Sequence, residues 1–555
     1  MPALLSPRTA AARCAYVGAV ALSLLSTGLP TAVAEDQRPD LSRFYRQHVT
    51  WAACEGPDMP ADLQCGKVTV PLDYARPKAG TLDLAMARYR GTGRSHASVL
   101  LNFGGPGGSG VDGLAAGGKD FMDLTNGYDV VSFDPRGVGR SSPVTCGDAA
   151  ADAWSGTDDT GDDNPRAMLE QLRTAARECA ANSGPVLRHI GTVNAARDLD
   201  VMRAALGDKK LNYLGFSYGT RLGAVYAAQF PKKVGRFALD GVDTLTEPLS
   251  EQGRVGAQGQ QAALEDFLKW CTRDVGCPFG QDTRSAREQV VRLVRSLDAN
   301  PVPSDFGDDF TGQDLVGAIS QALYSEELWP SLERALASLV EDGDTNGAEG
   351  FASGGSRVPG LRASGAGTAP APWAPAPRHT VPKPSGVRED GGLTDAEDVP
   401  PDNLPAALMA INCADDPDRP GADRIAAEYG RLRAEYERAS PVFGRYRLTE
   451  VLMCYGRPRG TDFVRDDVRN VATPHMLLVG TRGDPATPYR WTTETAKRLG
   501  PSAVVLDNRG DGHTGYASSK CVHRKVDDFL LYGSLPPSGS SCAADTDDST
   551  ATAGE

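Results

Sequence analysis

Leu211-Asn212-Tyr213-Leu214-Gly215-Phe216-Ser217-Tyr218-Gly219-Thr220 is the stretch that decides the reading of this chain. Residues 211–216 form a short apolar run that predicts a buried strand, and 218–230 carries helical periodicity. The pattern Gly-x-Ser-x-Gly falls at the junction. A sharp strand-to-helix turn crowds its own backbone, so glycine is needed on both flanks of the serine. Ser217 is then lifted above the sheet at the N-terminus of a helix, and the N–H of Tyr218 can donate to an oxyanion forming beside it. The bare pattern is a weak signal. With a strand before it and a helix after it, it outweighs the competing reading of an inert Gly-Ser turn.

Working outward, strands are predicted over 68–72, 82–89, 99–103, 128–133, 236–239, 475–479 and 503–506, with helices over 192–206 and 518–531. Strands alternating with helices predict an α/β protein with a mostly parallel central sheet and helices on both faces. Such sheets place their sites beyond the C-terminal strand ends. The rhythm breaks over 244–399, where helical pieces at 262–270 and 328–339 precede a stretch at 347–384 rich in Gly, Ala, Ser and Pro. That composition builds little core and predicts a loop. The chain therefore divides into a signal peptide (1–34), the first part of the core (35–243), a largely helical inserted cap (244–399), the C-terminal part of the core (400–535) and a polar tail (536–555).

A serine hydroxyl needs a base, and the base needs an orienting acid. On a sheet of this kind the order is serine, acid, histidine. Of seven histidines, His48, His96, His189 and His379 precede or interrupt the required region. His475 lies at the wrong end of a strand, and His523 falls within the closing helix. His513 remains, in a glycine-bordered loop after strand 503–506. The acid expected after the preceding strand is Asp484, in Gly483-Asp484-Pro485-Ala486-Thr487-Pro488. Its competing use is as a helix cap. The second oxyanion donor should come from Gly104-Gly105-Pro106-Gly107; Pro106 has no N–H, which leaves Gly105. A glycine-rich loop can also cradle phosphate, but neither nucleotide fingerprint is present.

Basic Arg8 and Arg13, an uncharged apolar run over 15–29 and Ala32-Val33-Ala34 make a secretory signal with cleavage expected after Ala34. The run is short for a membrane anchor, and no later segment is apolar enough to span a bilayer. Against 58 Lys and Arg stand 72 Asp and Glu, a net charge of −14, which disfavours nucleic acid as a partner. Eleven cysteines include Cys14 within the signal; the other ten, in an exported chain, imply disulfides. Local order suggests Cys54–Cys65, Cys146–Cys179, Cys271–Cys277, Cys413–Cys454 and Cys521–Cys542, one pairing among many. The tight spacing of a zinc site is missing.

Asn102-Phe103-Gly104-Gly105-Pro106-Gly107-Gly108-Ser109-Gly110, Asp134-Pro135-Arg136-Gly137-Val138-Gly139, Gly215-Phe216-Ser217-Tyr218-Gly219-Thr220, Asp240-Gly241-Val242 and the pair of segments around Asp484 and His513 together resemble the secreted tripeptidyl aminopeptidases of actinobacteria. These are peptidases of the α/β-hydrolase fold, a group that includes proline iminopeptidases. The latter tend to carry histidine where Phe103 stands, which favours the tripeptidyl branch. The resemblance implies release of short peptides from free N-termini by Ser217, Asp484 and His513, without metal or organic cofactor. It also implies carboxylates near the cap that bind the substrate ammonium. Asp415, beside Cys413, is the first candidate, and Glu326 and Glu327 are weaker ones. A carboxylesterase or lipase with the same triad is the alternative. A binding protein on an inactive scaffold would be expected to lack a triad member or an oxyanion-loop glycine, and none is missing.

Overall fold

The structure, a computed structural model, describes residues 39–56, 59–93, 97–147, 164–304, 309–352 and 392–544. The expected signal peptide, most of the Gly/Ala/Pro-rich stretch and the end of the polar tail lie outside the described residues. Ten strands form one sheet: β1 (Ala52–Ala53), β2 (Gln64–Pro71), β3 (Thr81–Tyr89), β4 (Ala97–Asn102), β5 (Tyr128–Phe133), β6 (Leu211–Phe216), β7 (Val234–Asp240), β8 (Met476–Gly483), β9 (Ala503–Asp511) and β10 (Ser541–Cys542). Their spatial order is β1-β2-β3-β5-β4-β6-β7-β8-β9-β10. The β1-β2, β2-β3 and β3-β5 pairs are antiparallel, and every pair from β5-β4 to β9-β10 is parallel.

Alternate residues of the central strands feed two cores, as the period of two requires when both faces are covered. Leu211 and Tyr213 of β6 pack on one side with Leu100, Phe237, Leu239 and Leu478; Leu214 and Phe216 pack on the other with Val99, Leu101, Ala238 and Val479. The first core is closed by the helices Thr192–Ala205 and Tyr218–Gln229, the second by Gly110–Gly117 and Lys520–Tyr532. This is the α/β-hydrolase architecture expected from the sequence.

Between β7 and β8 the chain leaves the sheet for a run of helices that includes Leu249–Cys271, Thr283–Ala299, Gly312–Ala322 and Trp329–Asp342. They share a separate apolar cluster in which Phe267, Trp270 and Trp329 meet. Val442 and Phe443 join that cluster, and Tyr436, Ser440 and Arg447 bond to Ser250, Gln261 and Gln260. The helical layer thus takes in Ala422–Ala439 and Gly444–Leu452, beyond the 244–399 expected for the cap. No helix among the described residues is long and apolar enough to cross a membrane. All five disulfides suggested by local order are formed.

Candidate active site

β6, β7, β8 and β9 are neighbours in the sheet, so the loops leaving their C-terminal ends converge. Ser217 follows β6 with φ +55 and ψ −125, a conformation L-residues rarely adopt and the mark of a forced turn. Its crowding is measurable at the flanking glycines. A Cβ on Gly215 would lie 2.6 Å from the Gly219 carbonyl oxygen, and one on Gly219 would lie 2.7 Å from the Asn102 carbonyl oxygen. The N–H of Ser217 donates to the Asp240 carbonyl at 2.9 Å.

Asp484 follows β8 and His513 follows β9, and both are buried. Nδ1 of His513 lies 2.9 Å from each carboxylate oxygen of Asp484. Asp484 also accepts the N–H of Ala486 at 2.8 Å, the N–H of Thr487 at 2.7 Å and the hydroxyl of Thr487 at 2.9 Å. Every one of these groups donates to Asp484, which leaves Nδ1 to carry the ring proton and Nε2 as the basic atom. Burial pushes the His513 pKa down, but the charge and hydrogen bond of Asp484, with Asp240 and Asp243 behind, outweigh it and hold the imidazole above its ordinary value.

The glycine-rich loop after β4 lies against this turn. A Cβ on Gly104 would be 2.9 Å from Ser217 Cβ and 3.3 Å from the Tyr218 nitrogen. Gly105, the expected second donor, has φ +110. Asp134, at the end of β5, accepts the Ser109 hydroxyl at 2.7 Å and the N–H groups of Val111 and Arg140 at 3.0 and 2.9 Å, so the Asp-Pro-Arg-Gly segment fixes the far end of the loop. Phe103 stacks on Phe216 with centroids 6.1 Å apart, filling the floor beneath the loop.

The three candidate ammonium ligands fall in different places. Asp415 is buried behind the elbow helix: its oxygens accept the N–H of Thr192 at 2.9 Å and the Thr192 hydroxyl at 2.6 Å, and Arg221 stands 3.5 Å away. The Thr192 oxygen lies 2.6 Å from the Tyr218 hydroxyl. Because Thr192 donates to Asp415, Tyr218 must donate to Thr192. Glu326 sits instead on the exposed turn after Gly312–Ala322, near enough for its charge to act on Asp511, two residues before His513. Burial, then Glu326 and Asp266, push the Asp511 pKa up to about 7. Glu327 is exposed on the same turn. The residues that sequence reasoning missed are Tyr324, whose carbonyl accepts the His513 N–H, and Asp511, whose pKa Glu326 helps to raise. A signal for Asp240 did exist, in the Asp240-Gly241-Val242 segment.

The family described as "alpha/beta hydrolase fold" matches residues 98–338, and "TAP-like protein" matches 440–542. The chain is 31% identical to serine protease Hip1 of Mycobacterium tuberculosis, covering 89% of this chain and 91% of that one. It is 28% identical to a tripeptidyl aminopeptidase of Streptomyces coelicolor, over 90% and 87% of the two chains. It is also 31% identical to carboxylesterase B of M. tuberculosis, over 86% of each. The fold and these likenesses define a hydrolase of the serine-hydrolase type. The chain belongs to the α/β-hydrolase family and is related to its actinobacterial serine hydrolases and peptidases.

Proposed function

We propose that the protein is a secreted serine aminopeptidase that releases short peptides, chiefly tripeptides, from free N-termini. The observation that carries this reading is the turn 324–327, which the Tyr324 carbonyl ties to the His513 N–H and which sets the acidic Glu326 near Asp511, beside the buried His513–Asp484 pair. Acidic groups next to the base suit a substrate ammonium. His513 takes the Ser217 proton as Ser217 attacks the scissile carbonyl, and Asp484 holds the tautomer and stabilises the imidazolium. The N–H groups of Tyr218 and Gly105 receive the oxyanion, one such donor being worth ~3 kcal/mol. His513 then protonates the leaving amine, and water activated by the same ring releases the acyl-enzyme.

The likeness to a carboxylesterase supports a second reading, ester hydrolysis by the same residues. Chromogenic amides of one to four residues, with free and acetylated N-termini, separate the two. The free tripeptidyl amide is expected to be cleaved at least ~100-fold faster than its acetylated form, or ~3 kcal/mol of transition-state stabilisation. Equal kcat/KM for both forms overturns the aminopeptidase reading. A fluorophosphonate probe should label Ser217 in the parent and nothing in Ser217→Ala, with turnover down at least ~1,000-fold.

A further inference from the structure

Asp240 closes β7 and is fully buried. Its main-chain carbonyl accepts the Ser217 N–H at 2.9 Å. Its carboxylate accepts the Gly515 N–H, 3.0 Å from each oxygen, and the Tyr516 N–H at 2.7 Å. One residue therefore grips both the turn that carries Ser217 and the loop that carries His513. Gly241 follows with φ +66, its N–H donating to the Val479 carbonyl of β8 at 3.1 Å. A Cβ there would lie 2.9 Å from Thr514 Cγ2, 3.2 Å from Thr487 Oγ1 and 3.3 Å from His513 Cε1. The edge of the imidazole rests against a bare Cα.

We propose that Asp240 and Gly241 are positioning residues that form the seat of the histidine. Asp240 fixes the height of the His513 loop relative to Ser217, and Gly241 provides the room in which the ring lies. The inference rests on the Ser217-Asp484-His513 reading and goes beyond it, since Asp484 reaches the ring only through Nδ1. A buried carboxylate is costly without partners, and an apolar residue of similar size would avoid that cost. The partners of Asp240 are main-chain amides; among the described residues it forms no ion pair with lysine or arginine. Burial pushes its pKa up to about 6, against the pull of the two amides and of His513. The histidine is faced by Asp484 directly, by Asp240 from β7, and by Asp243, which is paired with Arg221 at 2.8 Å. Loss of the Asp240 charge removes one anion that favours imidazolium, so the His513 pKa falls and the acid limb of activity moves to lower pH.

The test compares Asp240→Asn and Gly241→Ala with the parent by the rate of fluorophosphonate labelling at Ser217 across pH, a readout independent of substrate class. A displaced base costs about 10- to 100-fold, and that loss is expected at high pH in folded Asp240→Asn, with the acid limb moved to lower pH. Gly241→Ala changes no charge; its labelling should slow ~10-fold with the limb unmoved. On the free tripeptidyl amide both variants should lose kcat while KM stays within ~2-fold. Parent-like rate and acid limb in Asp240→Asn overturn the inference. If that variant does not fold, parent-like labelling of Gly241→Ala overturns it. Failure of the parent itself to label at Ser217 overturns the triad reading instead.

Discussion

The backbone N–H of His513 donates to the carbonyl of Tyr324 at 2.9 Å, and the two rings meet edge-on with centroids 5.0 Å apart. The helical layer is thereby tied to the loop of the base. The contact is close: a Cβ on Gly512 would lie 2.8 Å from the same carbonyl oxygen. Tyr324→Ala keeps the carbonyl but removes the ring that limits imidazole motion. An edge-to-face contact of this kind is worth ~1 kcal/mol, so kcat/KM should fall about 5- to 10-fold with little change in Tm. Parent-like kinetics in this variant would show that the backbone bond alone holds the loop.

Activity and stability should respond to pH in opposite directions. On the proposed triad, His513 must be neutral to accept the Ser217 proton, and Asp484 holds its pKa above the ordinary 6.5, so the acid limb of kcat/KM is expected above that value. The same raised pKa means that the folded state binds a proton the unfolded chain has released, a contribution to stability present below the unfolded pKa and lost as pH rises through the folded one. Asp134, Asp208 and Asp240, pushed up to about 6 by burial, and Asp511, pushed up to about 7, act in the same sense. His189, lowered by burial, opposes them. Tm is therefore expected to rise between pH of about 7.5 and about 5.5 while turnover falls. Scanning calorimetry beside initial rates checks it; a Tm that drops with turnover contradicts it.

The five bridges take in every cysteine from Cys54 to Cys542, so a chain cleaved after Ala34, which no longer carries Cys14, should show no thiol that alkylates without reduction. The bridge Cys413–Cys454 anchors the helix Asn403–Asp415, which packs on the glycine-rich loop after β4: a Cβ on Gly107 would lie 2.8 Å from the Leu404 carbonyl oxygen. Replacing both cysteines by serine should cost ~3 kcal/mol of stability, read by denaturant titration. Two or more free thiols by mass shift after denaturation would refute complete pairing.

Ser217, Asp484 and His513 could be proposed from the sequence because each follows a strand, where period, glycine and turn chemistry coincide. What joins them was not legible there. Asp240 bonds residues 275 and 276 positions away, and Asp415 bonds Thr192 across 223. No local pattern signals such pairs. The extent of the helical layer was hidden for another reason. Ala422–Ala439 shows an arginine and glutamate surface stitched by Arg431–Glu435 and Arg433–Glu437, with only Ile425 and Tyr436 buried, too sparse an apolar stripe to read as core. The nearness of Glu326 to Asp511 likewise joins two elements remote in sequence.

That nearness decides which carboxylate to test. Asp415 already accepts from Thr192 and faces Arg221, so its charge is met inside the protein. Its bonds lead to Tyr218, the expected oxyanion donor. Asp415→Asn should therefore lower kcat on free and acetylated tripeptidyl amides alike and leave their ratio unchanged. Glu326 and Asp511 stand otherwise. Their charges act on one another at the edge of the His513 loop, Glu326 exposed and Asp511 half-buried, and an arriving ammonium would relieve that repulsion. Glu326→Gln keeps the shape but removes one of the two charges. It should raise KM for the free peptide, barely alter the acetylated one, and cut the ratio of their kcat/KM by about 10-fold, or ~1.4 kcal/mol. The check is the ratio measured for both variants on the same two substrates. If Asp415→Asn alone closes the gap, the ammonium lies behind the elbow helix; if neither variant moves it, the cleft discriminates by bulk.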